Sequence, residues 1–158
     1  MTSQMIETHR ENAEVYTGDE ICKEKSLQLL GEISLPKGLL PLDDLTEVGY
    51  NRSSGFVWLI QKKQKTHYFK SIGKSVSYGA EVTAFVENYK MKKLTGVKSK
   101  EILIWVSLSE ISIDDPSSAK ITFKTPSGLG RSFPVSAFEI EGEEKKVEEE
   151  KKVEEVKV

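Results

Sequence analysis

SVSYGAEVTAFVE (residues 75–87) decides the fold. Val76, Tyr78, Ala80, Val82, Ala84 and Val86 fall on alternate positions, the period-two spacing of a strand with one buried face. The pattern continues on both sides. LTEVGY (45–50), FVWLIQKK (56–63) and THYFKSI (66–72) precede it; YKMKKLTGV (89–97), KEILIWVSLSEISI (100–113), KITFKT (120–125) and GRSFPV (130–135) follow. Turn formers separate these runs: NRSSG (51–55), DDP (114–116) and Pro126-Ser127-Gly128, with proline at the second turn position. KEILIWV is apolar at every second and third position alike, which predicts a central strand covered on both faces.

Upstream of residue 44 the period changes. Asp19 is a candidate N-cap, and Ile21, Cys22, Leu29, Leu30 and Ile33 recur near helical spacing, which predicts a helix over about 19–33. Pro36 and Gly38 stop it, and LPKGLLPL (35–42) reads as an apolar connector pinned by Pro36 and Pro41. One N-terminal helix and about eight short strands define a mostly β fold. A curled antiparallel sheet closing into a barrel-like single domain is the expected architecture. Residues 1–14 read as a flexible N-terminus, 15–140 as the domain, and 141–158 (EGEEKKVEEEKKVEEVKV) as a disordered Glu/Lys tail too poor in apolar side chains to offset ordering entropy.

Composition excludes several classes. In 158 residues no apolar run approaches the length of a transmembrane helix. One cysteine and two histidines leave no disulfide framework and no metal-ligand set, and no cofactor motif is present. Gly128-Leu129-Gly130 lacks the third glycine and following helix of a dinucleotide loop. No secretory signal is visible, which points to a cytoplasmic protein, with peripheral membrane association open to it. Asn51-Arg52-Ser53, formally a glycosylation sequon, is then expected to stay bare.

Formal charge is −2, yet residues 61–100 carry ten lysines against Glu81 and Glu87, a local net of +8. An anionic partner would meet such a segment, and edge-protecting lysines on a solvated strand face are the plainer alternative. Arginine occurs only at positions 10, 52 and 131, so acidic lipid or an acidic protein fits better than nucleic acid. Nucleophilic chemistry finds little support. S-x-x-K occurs at Ser34/Lys37, Ser71/Lys74 and Ser117/Lys120, near its chance frequency and away from any helix start. Cys22 falls on the apolar stripe of the helix, and Asp43-Asp44 and Asp114-Asp115 sit where aspartate makes turns.

The strings YTGDEIC (16–22), LPKGLLPL (35–42), EVGYNR (47–52), IGKSVSY (72–78), KKLTGVK (92–98) and ITFKTPSGL (121–129) closely resemble the plant family called "domain of unknown function 538", especially its "smaller with variable branches" type. GFVWL (55–59), EILIWV (101–106) and RSFPVSAF (131–138) extend the resemblance over about 16–138. It implies bifurcated, coiled antiparallel sheets with an N-terminal helix, and a role in stress responses and epidermal-hair (trichome) growth. A likeness to lipid-binding permeability-increasing proteins, and chlorophyll binding or hydrolysis, have been proposed for the family. It supplies no catalytic residues. Ser53-Ser54, Ile60 and Gly79 depart from the usual family residues.

The expected function is a non-catalytic binding module for a lipid-like or tetrapyrrole ligand with an anionic group. A regulatory protein-interaction factor with a basic face is the alternative, followed by an ester hydrolase using His67 near Ser71. Trp58 and Tyr78, then Tyr68, Phe85 and Trp105, are the candidate ligand contacts, with Lys62, Lys74 and Lys92 facing the anion.

Overall fold

The computed structural model describes residues 4–140, so the tail expected at 141–158 lies outside the described residues. In chain order the elements are α1 (Gln4–His9), β1 (Glu14–Thr17), α2 (Asp19–Glu32), β2 (Leu45–Asn51), β3 (Phe56–Gln61), β4 (Lys65–Phe69) and β5 (Lys74–Glu87). They continue with β6 (Lys90–Glu101), β7 (Ile104–Ser107), β8 (Glu110–Ser112), β9 (Lys120–Lys124) and β10 (Gly130–Pro134). All pairings are antiparallel.

β5 and β6 form the spine. Each changes its outer neighbour part-way along. β5 pairs with β4 over Lys74–Tyr78 and with β3 over Glu81–Phe85. β6 pairs with β8 over Lys90–Lys92 and with β7 over Lys98–Glu101. The sheet therefore forks. One branch runs β1-β2-β3-β5-β6-β8-β9-β10; the other is a narrow arm, β4-β5-β6-β7. The outer strands of the wide branch do not meet, so the expected barrel-like closure gives way to an open, coiled sheet.

The fork has a local cause. Tyr78 faces Val97 and Thr83 faces Thr95, so residues 79–82 of β5 stand against Gly96 alone. This bulge lengthens one strand over the other and forces a bend. It also turns Ala80 to solvent, the one member of the 76–86 stripe that is not buried. Gly96 takes φ +80°, a conformation that glycine adopts without a steric penalty.

The main core lies between the sheet and the layer formed by α2 and residues 33–42. α2 buries Cys22, Ser26, Leu29 and Leu30, and Ile33 follows at its end, whereas Ile21 faces solvent. Gly18 with φ +100° occupies the N-cap position, and Asp19 instead accepts a hydrogen bond from the Leu45 N–H at 2.9 Å, tying helix to β2. The connector contributes Leu35, Leu39, Leu40 and Leu42 to the core.

A second, smaller cluster sits on the other face of β3, where Ile6 of α1 packs on Phe56 and Trp58. The expected flexible stretch 1–14 thus contains a docked helix. Asn51 donates to the His9 and Glu11 carbonyls at 3.0 and 3.3 Å, and the His9 ring stacks on Phe56 at 4.4 Å. Arg10 donates through both terminal nitrogens to Glu47 at 3.0 Å, and Glu47 also accepts from the Trp58 indole N–H at 2.8 Å.

Arg10 holds the Glu47 carboxyl below its ordinary range. A depressed folded-state pKa contributes stability that is present above the unfolded value and lost as pH falls through the folded one. Wild-type protein is expected to lose stability from about pH 5 downward, and Glu47→Gln to lose it with a shallower slope. Chemical denaturation at stepped pH reads this directly; parallel slopes would show that Glu47 contributes nothing to the dependence. Glu32 beside Arg52 and Asp43 beside Lys65 are depressed as well, so part of the slope persists in the variant.

Candidate functional site

The structure scatters the residues singled out in the sequence. Trp58 is fully enclosed in the α1 cluster with its only polar atom paired to Glu47. Tyr78 is buried in the main core, where its hydroxyl donates to the Leu39 carbonyl at 2.7 Å; burial pushes its pKa up and keeps it neutral. Both are core residues in this structure, and neither lines the cavities described below. Phe85 is half-buried beside Phe56, ring centroids 5.1 Å apart, with the Lys93 ammonium 5.5 Å above it. Tyr68 and Trp105 are exposed, on β4 and β7 respectively.

Lys62, Lys74 and Lys92 do not form one mouth. Lys62 lies exposed just past β3. Lys74 bonds Glu101 at 2.8 Å at the far end of the arm, and Lys92 lies 3.6 Å from Glu87 at the opposite end of β6. Eight residues of β6 stand between Lys92 and Glu101, a contour of at most about 30 Å.

Cys22 is a buried thiol whose Sγ donates to the Tyr16 carbonyl at 3.2 Å, and desolvation raises its pKa, away from nucleophile character. His67 and Ser71 line an open cavity of about 580 Å³ together with Tyr68, Lys70 and Phe138. The imidazole meets the Phe69 ring edge-on at 4.6 Å; burial, then the neighbouring Lys65, lower its pKa and favour the neutral ring.

The more consequential geometry comes from a stretch the sequence places elsewhere. KEILIWVSLSEISI is no central strand. β6 ends at Glu101, the chain reverses at Ile102-Leu103, and β7 returns with Ile104 opposite Glu101 and Trp105 opposite Lys100. β7 has only β6 as a partner, so nothing in the sheet covers this hairpin's outer side. The hairpin end is apolar and exposed: Ile102 is 92% accessible, Leu103 88%, Ile104 64% and Trp105 42%. The opposing β9–β10 hairpin closes through a turn in which the Gly128 N–H bonds the Thr125 carbonyl at 2.9 Å, and beside it Leu129 is 74% accessible.

Between the two hairpins runs an open groove of about 340 Å³. Val106 and Leu108 form one wall, Phe123, Leu129 and Phe133 the other. Such a volume lies at the lower end of the ~300–1,000 Å³ typical of small-molecule sites. Polar groups gather at one end, where Glu101 accepts from Lys74 at 2.8 Å and pairs with Arg131 at 3.2 Å. Two cations share one carboxylate, leaving local positive charge beside an apolar trough. No signal in the sequence marked this groove, because its walls come from strands far apart in the chain.

Fold and site together define an open, forked antiparallel β protein with one substantial helix and an apolar groove between two hairpins. The chain belongs to the family of proteins of unknown function DUF538, whose family model matches residues 26–139. Neither the curated proteins nor the solved structures give a match. The forked, coiled sheet is what the resemblance implied. Gly79, one of the departures from the family pattern, lies in the bulge outside the left-handed region, and an added Cβ would meet the Gly96 carbonyl at 3.4 Å, an ordinary contact.

Proposed function

We propose that this protein is a non-catalytic binding module for an amphiphile, an apolar chain with an anionic head, held in the groove between β6–β7 and β9–β10. One observation carries the reading: an apolar trough of about 340 Å³ ends at Arg131 and Glu101, and that single carboxylate is shared between Arg131 and Lys74. An acyl chain gains by leaving water along Val106, Leu108, Phe123 and Phe133. A carboxylate or phosphate head competes with Glu101 for the Arg131 fork. A tetrapyrrole is the second ligand class, and it fits the wider cavity beside His67, whose neutral imidazole suits a ring metal. A plant origin and a role in stress responses and epidermal-hair growth, both implied by the resemblance, form part of the same proposal, as does a cytoplasmic location.

The test is titration with a fluorescent medium-chain fatty acid. Saturable one-to-one binding is expected. Val106→Trp, which fills the groove, abolishes it. Arg131→Glu weakens it about tenfold for the acid and leaves the matching alcohol unaffected. Undiminished binding in Val106→Trp would sink the groove reading.

A further inference from the structure

We infer that the end of the β6–β7 hairpin is a wedge that docks this protein onto an anionic lipid bilayer. The inference stands on the hairpin itself and does not require the groove to hold a ligand.

The hairpin end contradicts what stability alone would select. Two-residue hairpin turns favour glycine, asparagine or aspartate where φ is positive. Ile102 sits there at φ +44°, a conformation costly for a β-branched side chain, and it is almost wholly exposed. The neighbouring Leu103 and Ile104 are exposed too. A contiguous apolar cluster kept in water on strained backbone marks an interaction site.

The shape selects the partner. The wedge is only two residues wide at its tip, and Ile102, Leu103 and Ile104 border an open depression of about 410 Å³ together with Lys74, Glu101 and Arg131. Its exposed apolar residues are Ile102, Leu103, Ile104 and Trp105, against the roughly 20–30 residues a side of a stable protein interface. A medium that parts around a protruding tip suits it better than a rigid complementary surface.

The charges select the lipid. Lys98 and Lys100 stand exposed on β6, directly behind the tip. Lys74, the first residue of β5, reaches the Lys100 carbonyl at 3.5 Å, and the turn carrying exposed Lys70 closes β4 to β5 at that same end of the arm. Arg131 flanks the opposite side, and Glu101 is the acid set among them. Each lysine near an anionic membrane strengthens binding about fivefold. Trp105 lies opposite Lys100, whose ammonium is 5.9 Å from its ring, and a tryptophan beside a lysine one step back from an apolar tip suits the headgroup level. Leu129 lies on the other lip of the groove, so a docked tip would open the groove toward the lipid.

The experiment is sedimentation with vesicles of phosphatidylcholine, alone or with about one third phosphatidylserine, alongside tryptophan emission. Trp58 is sealed in the fold, so a blue shift reports Trp105. Wild-type protein is expected to bind the anionic vesicles with a blue shift, to bind the neutral ones weakly, and to release as salt rises. Ile102→Asp with Leu103→Asp should weaken binding by about 30-fold or more. Aspartate tolerates the left-handed turn, so this variant folds. Ile102→Gly should raise thermal stability and still weaken binding severalfold. The same double variant should keep its affinity for the fluorescent fatty acid, since neither residue lines the groove, which separates failure of docking from failure of the groove reading. The inference is overturned if wild type ignores anionic vesicles at low salt or if the double variant binds undiminished. It is equally overturned if the wild-type tip proves to be a dimer contact that the double variant abolishes in the absence of lipid.

Discussion

Gly96→Ala is expected to destabilise the fold by about 4 kcal/mol, measured by urea denaturation. Two costs combine at this position. The residue has φ +80°, where an L side chain loses about 1–2 kcal/mol. A Cβ there would also fall onto the Glu81 carbonyl, with the Glu81 carbonyl carbon at 3.2 Å and the Val82 Cα at 3.3 Å. Those atoms are backbone of the paired strand and cannot rotate away. Gly128→Ala is the matched control: φ is +90°, but nothing lies within 4 Å of the added methyl. It should cost only the conformational part, about 1–2 kcal/mol. The difference between the two variants measures the contact on which the fork depends, because Gly96 is the residue against which four residues of β5 bulge. Equal losses would mean that the spine relaxes there freely and that the bulge is no fixed feature. Against a typical total of about 5–15 kcal/mol, the expected loss makes this one of the least replaceable positions in the chain.

Two strings of nearly the same composition show what was legible in the sequence. FVWLI (56–60) and ILIWV (102–106) are both runs of five apolar residues without alternation. The first is the two-faced strand, with Val57 and Leu59 in the main core and Phe56 and Trp58 under α1. The second is a hairpin end in water. Local pattern cannot separate them, since what differs is whether a covering element exists, and that element is distant in sequence. α1 covers β3 from about fifty residues upstream, and its own short, polar sequence reads as a loose lead-in because Ile6 is the one residue of the helix that is fully buried. The turn at Ile102-Leu103 was equally invisible, because it lacks every residue that normally announces one. By contrast α2, the 45–61 hairpin, β5 and the Pro126-Ser127-Gly128 turn were readable, since their signals are local: spacing, glycine and proline. The groove falls in the other category. Its walls are set by the fork at Gly96, which a period-two pattern does not encode.

Trp58→Ala is expected to cost about 4 kcal/mol, and Trp58→Phe about 2 kcal/mol, with ligand and vesicle binding per folded molecule unchanged. The indole is fully buried between Ile6 and Phe56 and lies against the backbone at Gly49, where an added Cβ would fall inside its ring. Only a glycine there lets the flat ring seat, and only an acceptor at Glu47 satisfies its N–H. Truncation to alanine leaves a cavity that α1 and β3 cannot close without breaking the Arg10 pair on Glu47. Phenylalanine keeps most of the packing and removes the donor, so the two variants separate volume from hydrogen bond. As a large aromatic in an apolar strand, Trp58 was the leading ligand contact on sequence grounds, and the two assignments predict opposite results. A structural Trp58 moves the denaturation midpoint and leaves affinity alone, while Val106→Trp does the reverse. If Trp58→Phe retained the native circular dichroism yet lost affinity for the fatty acid in step with Val106→Trp, the ligand would reach the α1 side of β3. The groove would then be only the entrance to its site.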